Sequence, residues 1–166
     1  MKPLNIERIN LFAPYKVVVS ERGDLLFSTV RGVNYAISFT KEFKLGGCDS
    51  YQLGIMNRNN VHGAHDSNVR NTILIIINEF FAVNKEVLLY ICDTSDGRQA
   101  VRNRLFLKWF QDFAKGGRFT IETANAVVEE ETIYAAIIVE NTNPYKQEIL
   151  KDFKETSEML SSKDNS

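Results

Sequence analysis

The run Val87-Leu-Leu-Tyr-Ile-Cys92 contains no charged residue and no polar–apolar alternation. A strand with one face in water alternates, so an unbroken apolar run predicts a strand covered on both faces, in the middle of a sheet. Such a strand demands covering layers, and the flanking sequence offers them. Upstream, Asp66 or Ser67 can cap a helix that carries Val69, Ile73, Ile76, Ile77, Phe80 and Val83 on one broad apolar face. Ile73 to Ile77 would also suit a strand, but the cap and the spacing favour a helix. Downstream, a second helix is expected from about Gly97 to Lys115, closed by Gly116-Gly117 as a left-handed C-terminal cap.

The first third reads as an antiparallel meander. Tyr15 to Ser20 is rich in β-branched residues, Glu21 to Asp24 forms a turn, and Leu25 to Val30 follows. Beyond Arg31-Gly32, the alternation of Val33, Tyr35, Ile37 and Phe39 marks a third strand with one buried face. Tyr51, Leu53 and Ile55 repeat the pattern in a fourth. Phe119 to Val127 and Thr132 to Glu140 read as a hairpin around Glu129-Glu130-Glu131. Asn143-Pro144 then opens a last helix with Ile149, Leu150 and Phe153 inward. The fold class is therefore α+β: a mixed, mostly antiparallel sheet of about seven strands with three helices, in the order ββββαβαββα. Residues 1–155 are expected to form a single globular domain, and residues 156–166 a polar, disordered tail.

Charge narrows the choice of partners. With 20 basic and 21 acidic residues and a pI near 6.1, the chain has no global attraction to nucleic acid or anionic lipid. Pro3, Glu7 and Arg8 interrupt the opening segment, which does not read as a signal peptide. No apolar run approaches the roughly 20 residues of a membrane span. Cys48 and Cys92 suggest neither a disulfide framework nor a zinc site, and free thiols in a cytoplasmic setting are expected.

The least ordinary feature lies after the apolar strand. At about 100° per residue, Arg98 and Arg102 fall in line with Leu105 and Trp109 on the core-facing stripe of the predicted helix. Guanidinium keeps its proton when buried, so an acidic side chain or an anionic ligand must neutralise it. One reading is an anion pocket built from Thr94, Ser95, Asp96, Gly97, Arg98 and Arg102, where a helix N-terminus meets the end of a central strand. The other is a structural network in which the two arginines pair with Asp93, Asp96 or Glu79.

Other chemistry is sparse. His62-x-x-His65-Asp66 has metal-ligating residue types, but the chain holds no further histidine, and both imidazoles are expected to be exposed in a loop. No serine or threonine stands in a nucleophile elbow, and Cys92 is expected to be buried. Neither a metal nor a catalytic residue is predicted. The aromatic residues sit where core packing explains them.

From the second strand onward, over residues 25 to 140, the order of elements is similar to the GNAT acyltransferase fold. That resemblance implies an acyl-CoA-dependent N-acyltransferase with acetyl-CoA as cofactor, its pyrophosphate held at a helix N-terminus by a Gln/Arg-x-x-Gly-x-Gly/Ala loop. The corresponding loop here, Arg58 to Arg70, departs from the pattern. Gly63 and Ala64 are its tiny residues, and Asp66 in the first helical turn would repel a phosphate. A second resemblance rests on Asp96-Gly-Arg-Gln-Ala-Val-Arg-Asn-Arg-Leu-Phe-Leu-Lys-Trp109, with the apolar strand before it and the Asn71-Thr-Ile helix upstream. These residues resemble a family of small uncharacterised Bacteroidetes proteins, a domain of unknown function, which implies a bacterial setting and no particular activity.

Three functional readings stand. The first is a non-catalytic domain binding an anionic small molecule or an acidic partner segment near Arg98 and Arg102. The second is a divergent acyltransferase. The third is a homodimer formed through an exposed strand of the meander or of the terminal hairpin.

Overall fold

The computed structural model describes residues 1–61, 66–92 and 99–163, the backbone alone for 99–103 and 163. Its elements in chain order are α1 (Ile6–Phe12), β1 (Val18–Val19), β2 (Leu25–Ser28), β3 (Asn34–Lys41), β4 (Ser50–Asn57) and α2 (Ser67–Val83). They continue with β5 (Val87–Cys92), α3 (Gln99–Ala114), β6 (Phe119–Val128), β7 (Glu131–Glu140) and α4 (Lys146–Lys163). The class is α+β with a mixed seven-stranded sheet, in strand order β1-β2-β3-β4-β5-β7-β6. β4 and β5 run parallel through Ser50–Gln52 and Val87–Leu89. The pairs β1–β2, β2–β3, β5–β7 and β6–β7 are antiparallel.

Four helices are described where three were expected. The addition, α1, is capped by Asn5, whose side chain accepts from the Arg8 N–H, and Glu7 occupies its first turn. Its seven residues bury Ile9 alone, so no amphipathic stripe announced it.

The described chain divides into two compact units, Met1–Thr40 with Leu53–Lys85 and Lys41–Gln52 with Glu86–Ser166. In the first unit, β1 is shorter than the expected Tyr15–Ser20. The Asn10 side chain takes the place of a strand beside Val17, accepting from its N–H at 2.8 Å and donating to its carbonyl at 2.9 Å. The Tyr15 N–H goes instead to the Thr72 hydroxyl. Helix α2 starts where the sequence placed it, with Asp66 as N-cap accepting from the Asn68 N–H at 2.8 Å. Ile73, Ile76, Ile77, Phe80 and Phe81 are fully buried. Successive residues of a helix point about 100° apart, so burying both Phe80 and Phe81 requires a wide covered face. Each such side chain contributes about 1.5–3 kcal/mol by leaving water.

In the second unit, β5 is covered as its composition requires. Val87 and Leu89 join Leu45, Ile137, Val139, Ile149 and Phe153 in one buried cluster, with α4 as the covering layer. On the opposite face the Tyr90 ring meets Phe106 and Phe110 of α3 edge-on, at 5.6 Å in each case. Farther along α3, Phe113 stacks on Phe119 of β6 at 4.7 Å. Gly46, at φ 56°, lets the loop before β4 pass close to α4, because a Cβ there would lie 2.6 Å from the Ile149 nitrogen. Its N–H donates to Asp152 at 2.8 Å.

Other boundaries also differ from expectation, β2 ending at Ser28 rather than Val30. The hairpin turns at Glu129 and Glu130, both at positive φ (52° and 67°), the mirror-image two-residue turn that suits the twist of paired strands. Helix α4 continues to Lys163, through most of the segment expected to be a tail. Its hydroxyls bond within the helix, Ser157 to the Phe153 carbonyl and Ser162 to the Met159 carbonyl.

Candidate functional site

The sequence directs attention to the point where β5 gives way to α3. β5 ends at Cys92, and the Tyr90 hydroxyl lies 3.9 Å from the Cys92 sulfur. Both residues are buried, which leaves the thiol as a packing group rather than an exposed nucleophile. Of the residues proposed for an anion pocket, Thr94, Ser95, Asp96, Gly97 and Arg98 lie outside the described residues, as does Asp93. Arg102 lies in α3, four residues before Phe106, with its side chain outside the description.

The buried face of α3 differs from the expected stripe. Trp109 and Phe110 are buried, Phe106 packs edge-on against Trp109 at 5.1 Å, and Leu105 is 37% exposed. The aromatic rings, being larger, set the rotation of the helix against Tyr90 and leave Leu105 at the margin. Arg104 and Lys108 are exposed, as their phase predicts.

Glu79, one of the three carboxylates offered as a structural partner for Arg98 and Arg102, is already engaged. Both of its oxygens accept from Arg8, Oε2 from Nε at 2.7 Å and Oε1 from the terminal nitrogen at 2.5 Å, and Oε1 also accepts from the Asn5 N–H at 3.2 Å. The Arg8 hydrogen bonds hold the Glu79 carboxyl below the usual range despite its burial, and the same contact raises Arg8. Sequence reasoning missed this pair because α1 itself was missed.

The start of α2 carries a second carboxylate with its own partners. Asp66 accepts from the Tyr15 hydroxyl at 2.5 Å as well as from the Asn68 N–H. The phenol hydrogen bond, followed by backbone donors and the charge of Arg31, lowers the Asp66 carboxyl; the same bond, with burial, raises the Tyr15 phenol. A fixed negative charge therefore occupies the helix N-terminus where a phosphate would otherwise be drawn. His62 and His65 lie outside the described residues. Among those described, no group of three or more potential ligands could hold a metal ion. Burial, and then the charges of Asp49, Glu86 and Glu148, push the Cys48 thiol up, so it stays protonated.

Sequence reasoning also missed a groove of about 920 Å³ in the second unit, between β6 and α4, lined from Gln147 to Ser162 along the helix. Ala124 and Leu150 contribute small and aliphatic surface, while Glu122, Lys151, Lys154 and Glu158 bring both signs of charge. The legible signal was the small-residue run Thr123-Ala-Asn-Ala126 in a strand otherwise rich in large side chains. Among the described residues no helix is long and apolar enough to cross a membrane.

No curated protein and no solved structure matches the chain. A family model described as a family of unknown function (DUF6169) matches residues 65–155. That match covers more than half of the 166 residues, including α2, β5, α3 and the β6–β7 hairpin. The chain thus belongs to this family of unknown function.

Proposed function

We propose that the chain is a non-catalytic bacterial, cytoplasmic binding domain that holds an anionic small molecule, or an acidic segment of a partner protein, where β5 leads into α3. Arg98 and Arg102 supply the charge, and Thr94, Ser95, Asp96 and Gly97 frame the ligand. The observation that carries this reading is the engagement of Glu79 by Arg8. Neither arginine can shed its proton, and of the three acidic partners offered by the sequence Glu79 is engaged elsewhere, which favours Asp93, Asp96 or a ligand. Spacing adds support, since Arg102 stands four and seven residues before Phe106 and Trp109, on the same helical stripe. The bacterial setting rests on the likeness of the Asp96–Trp109 pattern to Bacteroidetes sequences, and the cytoplasmic one on two free thiols and near-neutral charge.

Thermal unfolding with inorganic phosphate, pyrophosphate, citrate and a polyglutamate peptide tests this. A ligand at about 100 times its Kd stabilises the native state by about 2.7 kcal/mol, a shift of several degrees. The shift is expected in the unaltered chain and absent in R98A and R102A variants of unchanged circular dichroism. Failure of all four probes to shift the melting temperature would overturn the reading.

A second reading is favoured by topology. A meander, a parallel β4–β5 pair and a terminal hairpin inserted as β5-β7-β6 support a GNAT-like fold with acetyl-CoA as cofactor. The Asp66 carboxylate at the start of α2 opposes a pyrophosphate there. Titration with acetyl-CoA and longer acyl-CoAs separates the two readings, since a stabilising shift that survives R98A belongs to the acyltransferase alone.

A further inference from the structure

β6 ends the strand order, and among the described residues no strand lies beyond it. Its register with β7 runs unbroken from Phe119↔Glu140 to Val128↔Glu131, and the Asn141 N–H donates to the Arg118 carbonyl at 2.8 Å. Hydrogen-bonded pairs alternate along an antiparallel ladder, so the even-numbered residues of β6 direct their backbone groups to β7. Ile121, Thr123, Asn125 and Val127 turn their N–H and C=O groups to the open edge. Thr123 and Asn125 are exposed, and Val127 is 48% exposed. An edge of this length, without proline, lysine or a bulge inside it, is a template for another strand.

The charges around this edge select the occupant. Lys115, which pairs with Asp112, and Arg118, which pairs with Glu140 and lies over the Phe119 ring, precede the strand; Glu129, Glu130 and Glu131 follow it, and Glu122 is the charged residue within it. A strand that is basic at its start and acidic at its end is complementary to itself when reversed.

We propose that β6 pairs antiparallel with β6 of a second copy, about a two-fold axis at Ala124. In this register Ile121 faces Val127 of the second copy, Thr123 faces its Asn125, and Arg118 lies across from its acidic turn. The outward backbone groups on both strands then meet as bonded pairs. Neighbouring registers fit less well. Centring on Glu122 sets two carboxylates opposite each other, centring on Thr123 sets Ile121 against Asn125, and centring on Asn125 runs Ile121 into the turn at Glu129.

Side-chain faces agree with this arrangement. Ala124 packs toward the α4 side, in contact with the cluster that holds Ile149 and Phe153, whereas Phe119 stacks on α3. The two-fold axis keeps both α4 helices on one face of the joined sheet and antiparallel. The groove beside β6 then becomes shared between the two copies.

Sedimentation of the full chain from about 1 to 200 μM, with cysteine trapping, tests the proposal. A concentration-dependent dimer is expected, together with a monomer for Thr123→Pro, which removes an outward N–H that β7 does not use. Because facing residues of a non-bonded pair have Cα atoms about 4.5 Å apart, Ala124→Cys is expected to form an interchain disulfide on oxidation. Ala126→Cys, which faces Glu122 of the second copy, is expected not to form one. A monomer at every concentration, or equal crosslinking through positions 124 and 126, would overturn the proposal. If Thr123→Pro does not fold, the two cysteine variants decide it.

Discussion

Arg8 in a seven-residue helix holds Glu79 with two of its guanidinium nitrogens, although 71 residues separate them. Glu79 is 5% exposed and Arg8 about half, so the arginine reaches inward from water while its partner stays inside. The acid bears the larger desolvation cost and depends on the donors that satisfy it.

Replacing Glu79 with glutamine keeps its shape and removes its charge. Hydrogen bonds to a charged group are worth about 1.5–3 kcal/mol, and glutamine cannot accept from Arg8 and Asn5 through two equivalent oxygens. E79Q is expected to lower the unfolding free energy by an amount near the lower end of that range, read as a lower urea midpoint with the m-value unchanged. Arg8→Ala is expected to destabilise further, because it leaves the carboxylate without its main donor.

Both Glu79 and Asp66 have carboxyls held below their ordinary values by hydrogen bonds, from Arg8 and from Tyr15 respectively. Below the unfolded carboxylate values, about 3.9 for Asp and 4.3 for Glu, the unfolded chain binds more protons than the native one. Their contribution is fully present above those values and is lost as pH falls through the folded ones. The melting temperature is expected to hold near neutrality and fall below about pH 5. E79Q is expected to flatten that fall, measured by circular dichroism across pH 3–7.

Tyr15→Phe isolates the second carboxylate. The ring remains to stack on Phe27, 6.0 Å away, while the hydroxyl that donates to Asp66 is lost. A cost of about 1–2 kcal/mol is expected, and the Asp66 carboxyl should titrate at higher pH in a side-chain NMR experiment.

Gly46 and Gly47 are neighbours with different constraints. Both have positive φ, but a Cβ on Gly46 would strike the α4 backbone at Ile149, whereas one on Gly47 meets nothing within 4 Å. Gly47→Ala is expected to cost about 1 kcal/mol for backbone conformation. Gly46→Ala is expected to cost clearly more and to raise hydrogen exchange at the start of α4.

The elements legible from sequence were those whose burial is written in consecutive residues. β5 announced itself by lacking alternation, and α2 by its Asp66 cap and isoleucine spacing. What escaped depends on partners distant in sequence. Nothing near Val17 reveals that Asn10 displaces a strand partner, and nothing near Glu79 points to Arg8. Leu105 was assigned inward by phase alone, but the larger rings of Phe106, Trp109 and Phe110 fixed the rotation of α3. The candidate anion pocket was legible as residue types alone, and of its residues only the backbone of Arg102 lies among those described.

The first and last strands of the sheet order are unequal in length, and for the proposed pairing this bears on stoichiometry. β1 contributes two ladder residues, and the backbone just before it is already bonded to the Asn10 amide, whereas β6 presents ten residues. Under the proposed pairing, joining two copies through β6 would use this margin of each, so association would close at a pair.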